Sequence, residues 1–327
     1  MSKQHLYFLD FVRAITIVLV VLGHWRPEGC PAWYQDVYDV IYTFHMPVFL
    51  AISGYLYMAT RRPMTYPQFL WHKFRRLMVP YFVGSMVIIA FKLLAGSGSG
   101  VEHPVTPYAL VEMFYFPAAS KVFWFLWALW WMFVMVYWLD TPLKRLIAIV
   151  VCVAVVASKV GLPQVCSIDL VPYYFIFFLS GTLLCDIPQF IPTLRRIPLW
   201  AIIAVMAALA TLYLYDMIWI HWLMAYIGMA MMMRIGLMLE SNEQFRGRTL
   251  LLHLASASYI LYLGHTTCMG VAKSIVLRYL DISVVSQFLL ASAIIVPAGV
   301  VLPYLLWRFV LTRFQITRTL FGLKPFK

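Results

Sequence analysis

The sequence predicts an all-α, polytopic membrane protein of about ten transmembrane helices, with both termini in the cytoplasm. Three observations carry this: the composition, the recurrence of long apolar runs, and the uneven placement of cations. Hydrophobic residues make up 63% of the 327 and charged residues only 12%, against roughly 25% charged in a soluble domain. Apolar runs of membrane-spanning length recur from one end of the chain to the other, each near the roughly 20 residues that a bilayer core requires.

Taken in order, the predicted spans are 8–25, 38–58, 78–95, 122–139, 146–160, 170–185, 198–214, 217–239, 250–272 and 284–310. In the second span Pro47 is expected to break the helix early, and Ser53-Gly54 permits a close helix contact. The third span enters the membrane near Pro80, with Lys73 and Arg76 three residues apart on one face of the helix that leads in. The fourth opens on FWFLWAL, whose aromatics are expected at the outer interface as part of an aromatic belt. The fifth and sixth are short. The fifth is expected to tilt or to continue into the following loop.

Cations alternate with the spans, and the positive-inside rule turns that alternation into an orientation. One set of ends carries Lys3; Arg61, Arg62, Lys73, Arg75 and Arg76; Lys144 and Arg145; Arg195 and Arg196; Arg246 and Arg248; and Arg308, Arg313, Arg318, Lys324 and Lys327. The other set has scattered cations only, among them Arg26, Lys92 and Lys121. The net charge of +12 is therefore a topology signal with contact to anionic membrane lipid. It is not a nucleic-acid footprint, because no soluble basic domain is predicted to hold one. Arg13 inside the first apolar run, and no A-x-A-like site after it, argue against a cleavable signal peptide. The chain reads as a single integral-membrane domain over 1–327, with GSGSG at 96–100 as a flexible outer loop. Of the five cysteines, Cys152, Cys185 and Cys268 read as small apolar fillers. Cys30 and Cys166 fall in predicted outer loops, where a disulfide between them is an open alternative. No Cys/His spacing suggests a metal site.

The segment RAITIVLVVLGH is the most informative. Eleven helical steps of about 100° bring His24 back to within about 20° of Arg13, about 16 Å along the axis. A cation and an imidazole on one stripe of a membrane span usually face a cavity and serve a function. His24 near the outer end, with His45 near the outer end of the next span, suggests that the two approach each other. Histidine is the usual general base for a hydroxyl acceptor. The bland reading of His24 is a hydrogen-bonded interior histidine. For Arg13 the functional reading is a phosphate contact. The bland ones are snorkelling and an i, i+3 pair with Asp10. His45 and Ser53 are candidates to line a cavity. Lys73 and Arg76, three residues apart, read either as positive-inside charge or as a cytoplasmic phosphate clamp. In SYILYLGH, Tyr262 and His265 suggest a polar cavity wall or, equally, structural hydrogen bonding between helices.

LDFVRAITIVLVVLGH, FHMPVFLAISGY, KFRRLMVPY, FWFLWAL and SYILYLGH, in that order, resemble bacterial integral-membrane acyltransferases of the acyltransferase-3 family, within it the fucose 4-O-acetylase-like branch. The resemblance runs from about residue 5 to about residue 310. It implies a ten-helix core in the bacterial inner membrane that moves an acyl group, usually acetyl, from cytoplasmic acyl-CoA to a hydroxyl of a cell-surface glycan or its lipid-linked precursor. It implies His24 as base, Arg13 as a donor-site residue, and Lys73 and Arg76 as the cytoplasmic basic motif. That motif is commonly Arg-x-x-Arg, and Lys73 departs from it. The partners implied are acyl-CoA, acetyl-CoA above all, as co-substrate and a sugar or glycolipid as acceptor, with no metal and no nucleic acid. The rival is a transporter of a glycan or lipid-linked sugar, with the same residues lining its pathway.

Overall fold

The computed structural model describes residues 5–96, 104–213 and 218–323. The expected loop residues 97–100 and the cations Lys3, Lys324 and Lys327 lie outside them. Among the described residues the regular structure is helical throughout, with no strand.

Each of the ten predicted spans contains a helix. These are α1 (Tyr7–Gly23), α2 (Ala32–Thr60), α3 (Tyr66–Ala95), α5 (Trp124–Val136), α6 (Pro142–Ala157), α7 (Val171–Asp186), α9 (Leu199–Leu212), α10 (Ile218–Ser241), α11 (Arg248–Val276) and α12 (Val285–Leu306). Short helices α4 (Ala109–Glu112), α8 (Phe190–Arg196) and α13 (Gln315–Leu320) lie between or after them. By length and apolarity, five helices among the described residues can cross a membrane, or six if the pair α8 and α9, bent by 87°, counts as one broken span. Of the others, α1, α5 and α6 are short for the task, whereas α11 has the length, at 29 residues, but not the apolarity. The 13 residues of α5 rise about 20 Å, against a hydrocarbon core of about 30 Å.

Three local expectations change. Pro47 does not end its helix: α2 runs through it for 29 residues. Membrane-type helices tolerate such a residue when neighbouring groups satisfy the freed carbonyl. The cationic stretch 73–76 lies on a helix, as expected from its spacing: α3 begins at Tyr66 and carries it. Pro67 lies in the first turn, and the Gln68 side-chain oxygen accepts the Thr65 amide at 3.2 Å, a capping contact. FWFLWAL does not form an exposed belt, since Phe123, Phe125, Leu126, Trp127 and Leu129 are all buried. Arg145, counted above as a positive-inside cation, is buried as well, with Nε donating to the Thr141 carbonyl at 3.3 Å.

The chain divides into two compact units. Unit 1 comprises residues 1–61 and 180–259, and α1, α2 and α10 pack on one another at its centre. The seam is close. A Cβ on Gly228 would lie 2.3 Å from the Phe44 Cβ, and one on Gly236 would lie 2.6 Å from the Phe8 carbonyl oxygen. Such approaches are the van der Waals basis of helix association in membranes. Unit 2 comprises residues 62–179 and 260–327. There α3 lies along α5, and Tyr81 donates its hydroxyl to the Met113 carbonyl at 2.6 Å.

Candidate active site

In unit 1, α1 is continuous from Tyr7 to Gly23, and His24 is the first residue past it. On the face shared by Arg13 and His24, the intervening Ile17 and Val20, and Val21 at its edge, are buried. The stripe therefore faces protein, as an ionisable stripe in a membrane helix should. Among the described residues it is also closely packed, since Ile17, Val20 and Val21 are 0–1% exposed.

The corner that follows His24 is held from α2. The Tyr34 hydroxyl donates to the Trp25 carbonyl at 2.7 Å and lies 3.3 Å from that of Leu22. These carbonyls lie at the C-terminal end of α1, where helix acceptors lack intrahelical donors. Trp25 itself is fully buried. The backbone bearing His24 is thus clamped on both sides of the imidazole.

His24 and His45 are brought to one ring, that of Tyr42. The His24 and Tyr42 centroids are 6.4 Å apart with planes at 74°. Tyr42 and His45 are 4.7 Å apart at 64°. His45 is buried, and its Nδ1 lies 2.8 Å from the Ile41 carbonyl. A carbonyl only accepts, so Nδ1 carries the proton and a neutral ring has its lone pair at Nε2. Tyr42 was not expected from the sequence, where an aromatic residue in an apolar run reads as core.

At the other end of α1, Asp10 is bracketed. One carboxylate oxygen accepts from the Arg13 guanidinium, and the other lies 2.6 Å from His5 Nε2. The i, i+3 pairing is therefore formed. Arg13 Nε is buried with no hydrogen-bond partner among the described residues. Ser53 bonds within its own helix, Oγ donating to the Phe49 carbonyl at 2.8 Å, and that leaves it little to offer a substrate.

In unit 2, Lys73 and Arg76 occupy successive turns of α3, but their environments differ. The Lys73 ammonium stands 3.6 Å above the Phe133 ring and 5.5 Å from that of Phe69, a cation–π seat. Arg76 is exposed. Tyr262 donates its hydroxyl to the Val122 carbonyl, and His265 Nδ1 lies 2.8 Å from the Tyr262 carbonyl and 3.0 Å from that of Leu261. Both side chains tie main chain together. Cys30 and Cys166 are not joined by a disulfide. Among the described residues, no group of three or more His, Cys, Asp or Glu could hold a metal ion.

A family model described as an acyltransferase domain matches residues 6–308. The chain belongs to the acyltransferase-3 family. The match covers α1 through α12 and so takes in both histidines, Arg13 and the cationic turn of α3. Nodulation protein NolL of Mesorhizobium japonicum is 26% identical over 179 residues, covering 53% of this chain and 46% of that protein. Nodulation protein NolL of Sinorhizobium fredii is 32% identical over 126 residues, covering 36% of this chain and 32% of that protein. The aligned part thus spans between a third and a half of the length of these relatives. No solved structure matches the chain.

Proposed function

We propose that the protein is an O-acyltransferase of the bacterial inner membrane. It takes an acyl group, acetyl above all, from cytoplasmic acyl-CoA and places it on a hydroxyl of a surface glycan or its lipid-linked precursor. The observation that carries this reading is the pair of imidazoles at the end of α1 and on α2, meeting at Tyr42, in a chain of the acyltransferase-3 family.

His24 is the general base. It takes the proton of the acceptor hydroxyl as that oxygen bonds to the thioester carbonyl carbon. The tetrahedral intermediate then collapses, the carbon–sulfur bond breaks, and the departing thiolate takes the proton back from His24. His45, whose Nδ1 proton is directed to the Ile41 carbonyl, presents Nε2 to orient the acceptor. The orientation supported by the charge pattern puts the Arg13 end of α1 inside and His24 outside. Within unit 1 Arg13 is a donor-phosphate contact, and within unit 2 Lys73 and Arg76 are candidates for the same chemistry, each such contact worth about 1.5–3 kcal/mol where charge-assisted. A pantetheine arm reaching from Arg13 towards His24 crosses about 16 Å. Because Ile17, Val20 and Val21 are buried on that face, the arm enters by parting packed side chains.

The test is reconstitution of the purified protein in lipid vesicles with radiolabelled acetyl-CoA inside and a glycan acceptor outside. The reading expects free CoA to appear in step with acetylated glycan, seen as the acetyl mass increment. Glycan that crosses the membrane unmodified, with no CoA released, would identify a transporter instead.

A further inference from the structure

Tyr42 stands at a junction. Tyr38, Tyr42 and His45 are spaced four and three residues apart on α2, which puts them on one helix face. The Tyr38 and Tyr42 rings stack at 4.3 Å with 24° between their planes. The Arg26 guanidinium lies over the Tyr38 ring at 4.6 Å. Tyr42 then meets both imidazoles edgewise. The result is one continuous array: guanidinium, two stacked phenols, two imidazoles.

Gly23 completes the arrangement. A Cβ there would lie 3.0 Å from Tyr42 Cε2 and 3.5 Å from Cδ2. The ring reaches across the last turn of α1 because residue 23 has no side chain. Tyr42 as a whole is 39% exposed, so the ring is not simply core.

We infer that Tyr42 is a positioning residue for acyl transfer: its ring fixes the His24 and His45 imidazoles relative to each other, and Gly23 is the notch that admits it. This rests on the reading of His24 as general base. His24 has left the helix, so its imidazole turns about two torsions that only neighbours restrict. A reacting geometry requires atoms about 3–3.5 Å apart, and a misplacement of about 1 Å costs about 10²-fold in rate. The ring supplies restriction through its edgewise contacts with both imidazoles.

The test compares Tyr42→Phe, Tyr42→Ala and Gly23→Ala in the full-length protein in vesicles. Tyr42→Phe retains wild-type kcat. Tyr42→Ala loses about 10²-fold in kcat while the KM for acetyl-CoA holds. Gly23→Ala lowers kcat in the wild-type background but adds nothing to Tyr42→Ala, because the clash it creates is then absent. Wild-type kcat in Tyr42→Ala, equal losses in the Phe and Ala variants, or additive losses in the double variant would each overturn the inference. A second readout uses no turnover: the pH profile of diethylpyrocarbonate modification at His24, followed by peptide mass. Tyr42→Ala shifts that profile and Tyr42→Phe does not, whereas an unchanged profile in Tyr42→Ala refutes the positioning role. The labelling works on protein that transfers no acyl group, so failure of the acyltransferase reading and failure of this inference remain separate.

Discussion

Each unit carries a Tyr-x-x-His segment: Tyr42-Thr-Phe-His45 on α2 in unit 1, and Tyr262-Leu-Gly-His265 on α11 in unit 2. In both, the histidine is buried, at 2% and 0% exposure, and its Nδ1 donates to a main-chain carbonyl one turn back. The tyrosines differ. Tyr262 is 7% exposed and its hydroxyl is engaged by the Val122 carbonyl. Tyr42 is 39% exposed, and its ring meets a second imidazole, that of His24 just past α1. The same residue types at the same spacing thus make a tie in one unit and a junction in the other. What separates them is the partner that each tyrosine meets, and that partner is remote in sequence.

The comparison can be broken most forcefully at the histidines. In our account, His45→Ala lowers turnover per folded molecule by about 10²-fold. His265→Ala acts on stability instead, costing about 1–3 kcal/mol because buried carbonyls lose their donor, with kcat retained. Turnover normalised to folded protein, with thermal unfolding in detergent, checks both. Equal kinetic losses from the two variants would erase the distinction.

At the tyrosines the contrast sharpens with one substitution. Tyr262→Phe removes the hydroxyl bonded to Val122 and lowers stability by about 1 kcal/mol. Tyr42→Phe keeps the ring contacts and with them turnover, and lowers stability by less. Thermal unfolding midpoints of the two variants decide this, and the prediction fails if their order is reversed.

A smaller effect is expected at the opposite end of α1. Asp10 shares the Arg13 guanidinium that we assign to donor phosphate. Asp10→Asn removes a competing anion, so acyl-CoA binds more tightly, by about 1 kcal/mol for a half-buried pair. Isothermal titration with a non-hydrolysable acyl-CoA analogue measures it. Weaker binding would make Asp10 a support for Arg13 rather than a competitor.

The sequence made the helices legible because their signal is local: a long apolar run with cations at its ends. It misplaced the start of α2, at Ala32 rather than 38, because Trp33-Tyr34-Gln35-Asp36-Val37 mixes polar and aromatic residues. It misread FWFLWAL as an interface belt, since composition does not distinguish aromatics that face lipid from aromatics buried within unit 2. His24 and His45 were legible as ionisable residues in apolar surroundings. Tyr42 was not, and neither was Tyr34's clamp on the Trp25 carbonyl. A signal for Tyr42 existed in the i, i+4, i+7 series Tyr38, Tyr42 and His45, but only the packing of α1 on α2 shows that Gly23 makes room for it. The Asp10–Arg13 pair was readable as an alternative, because i, i+3 proximity needs no tertiary information.

The central claim is that His24 removes the acceptor proton, and single-turnover transfer by His24→Gln tests it most directly. Glutamine keeps a hydrogen-bonding side chain of similar reach but cannot take up the proton. With the enzyme saturated by radiolabelled acetyl-CoA, the account predicts unchanged donor affinity and a transfer rate lower by about 10²–10⁴-fold. A folded His24→Gln protein that acetylates the acceptor at the wild-type rate would contradict the account and return His24 to the hydrogen-bonded interior histidines.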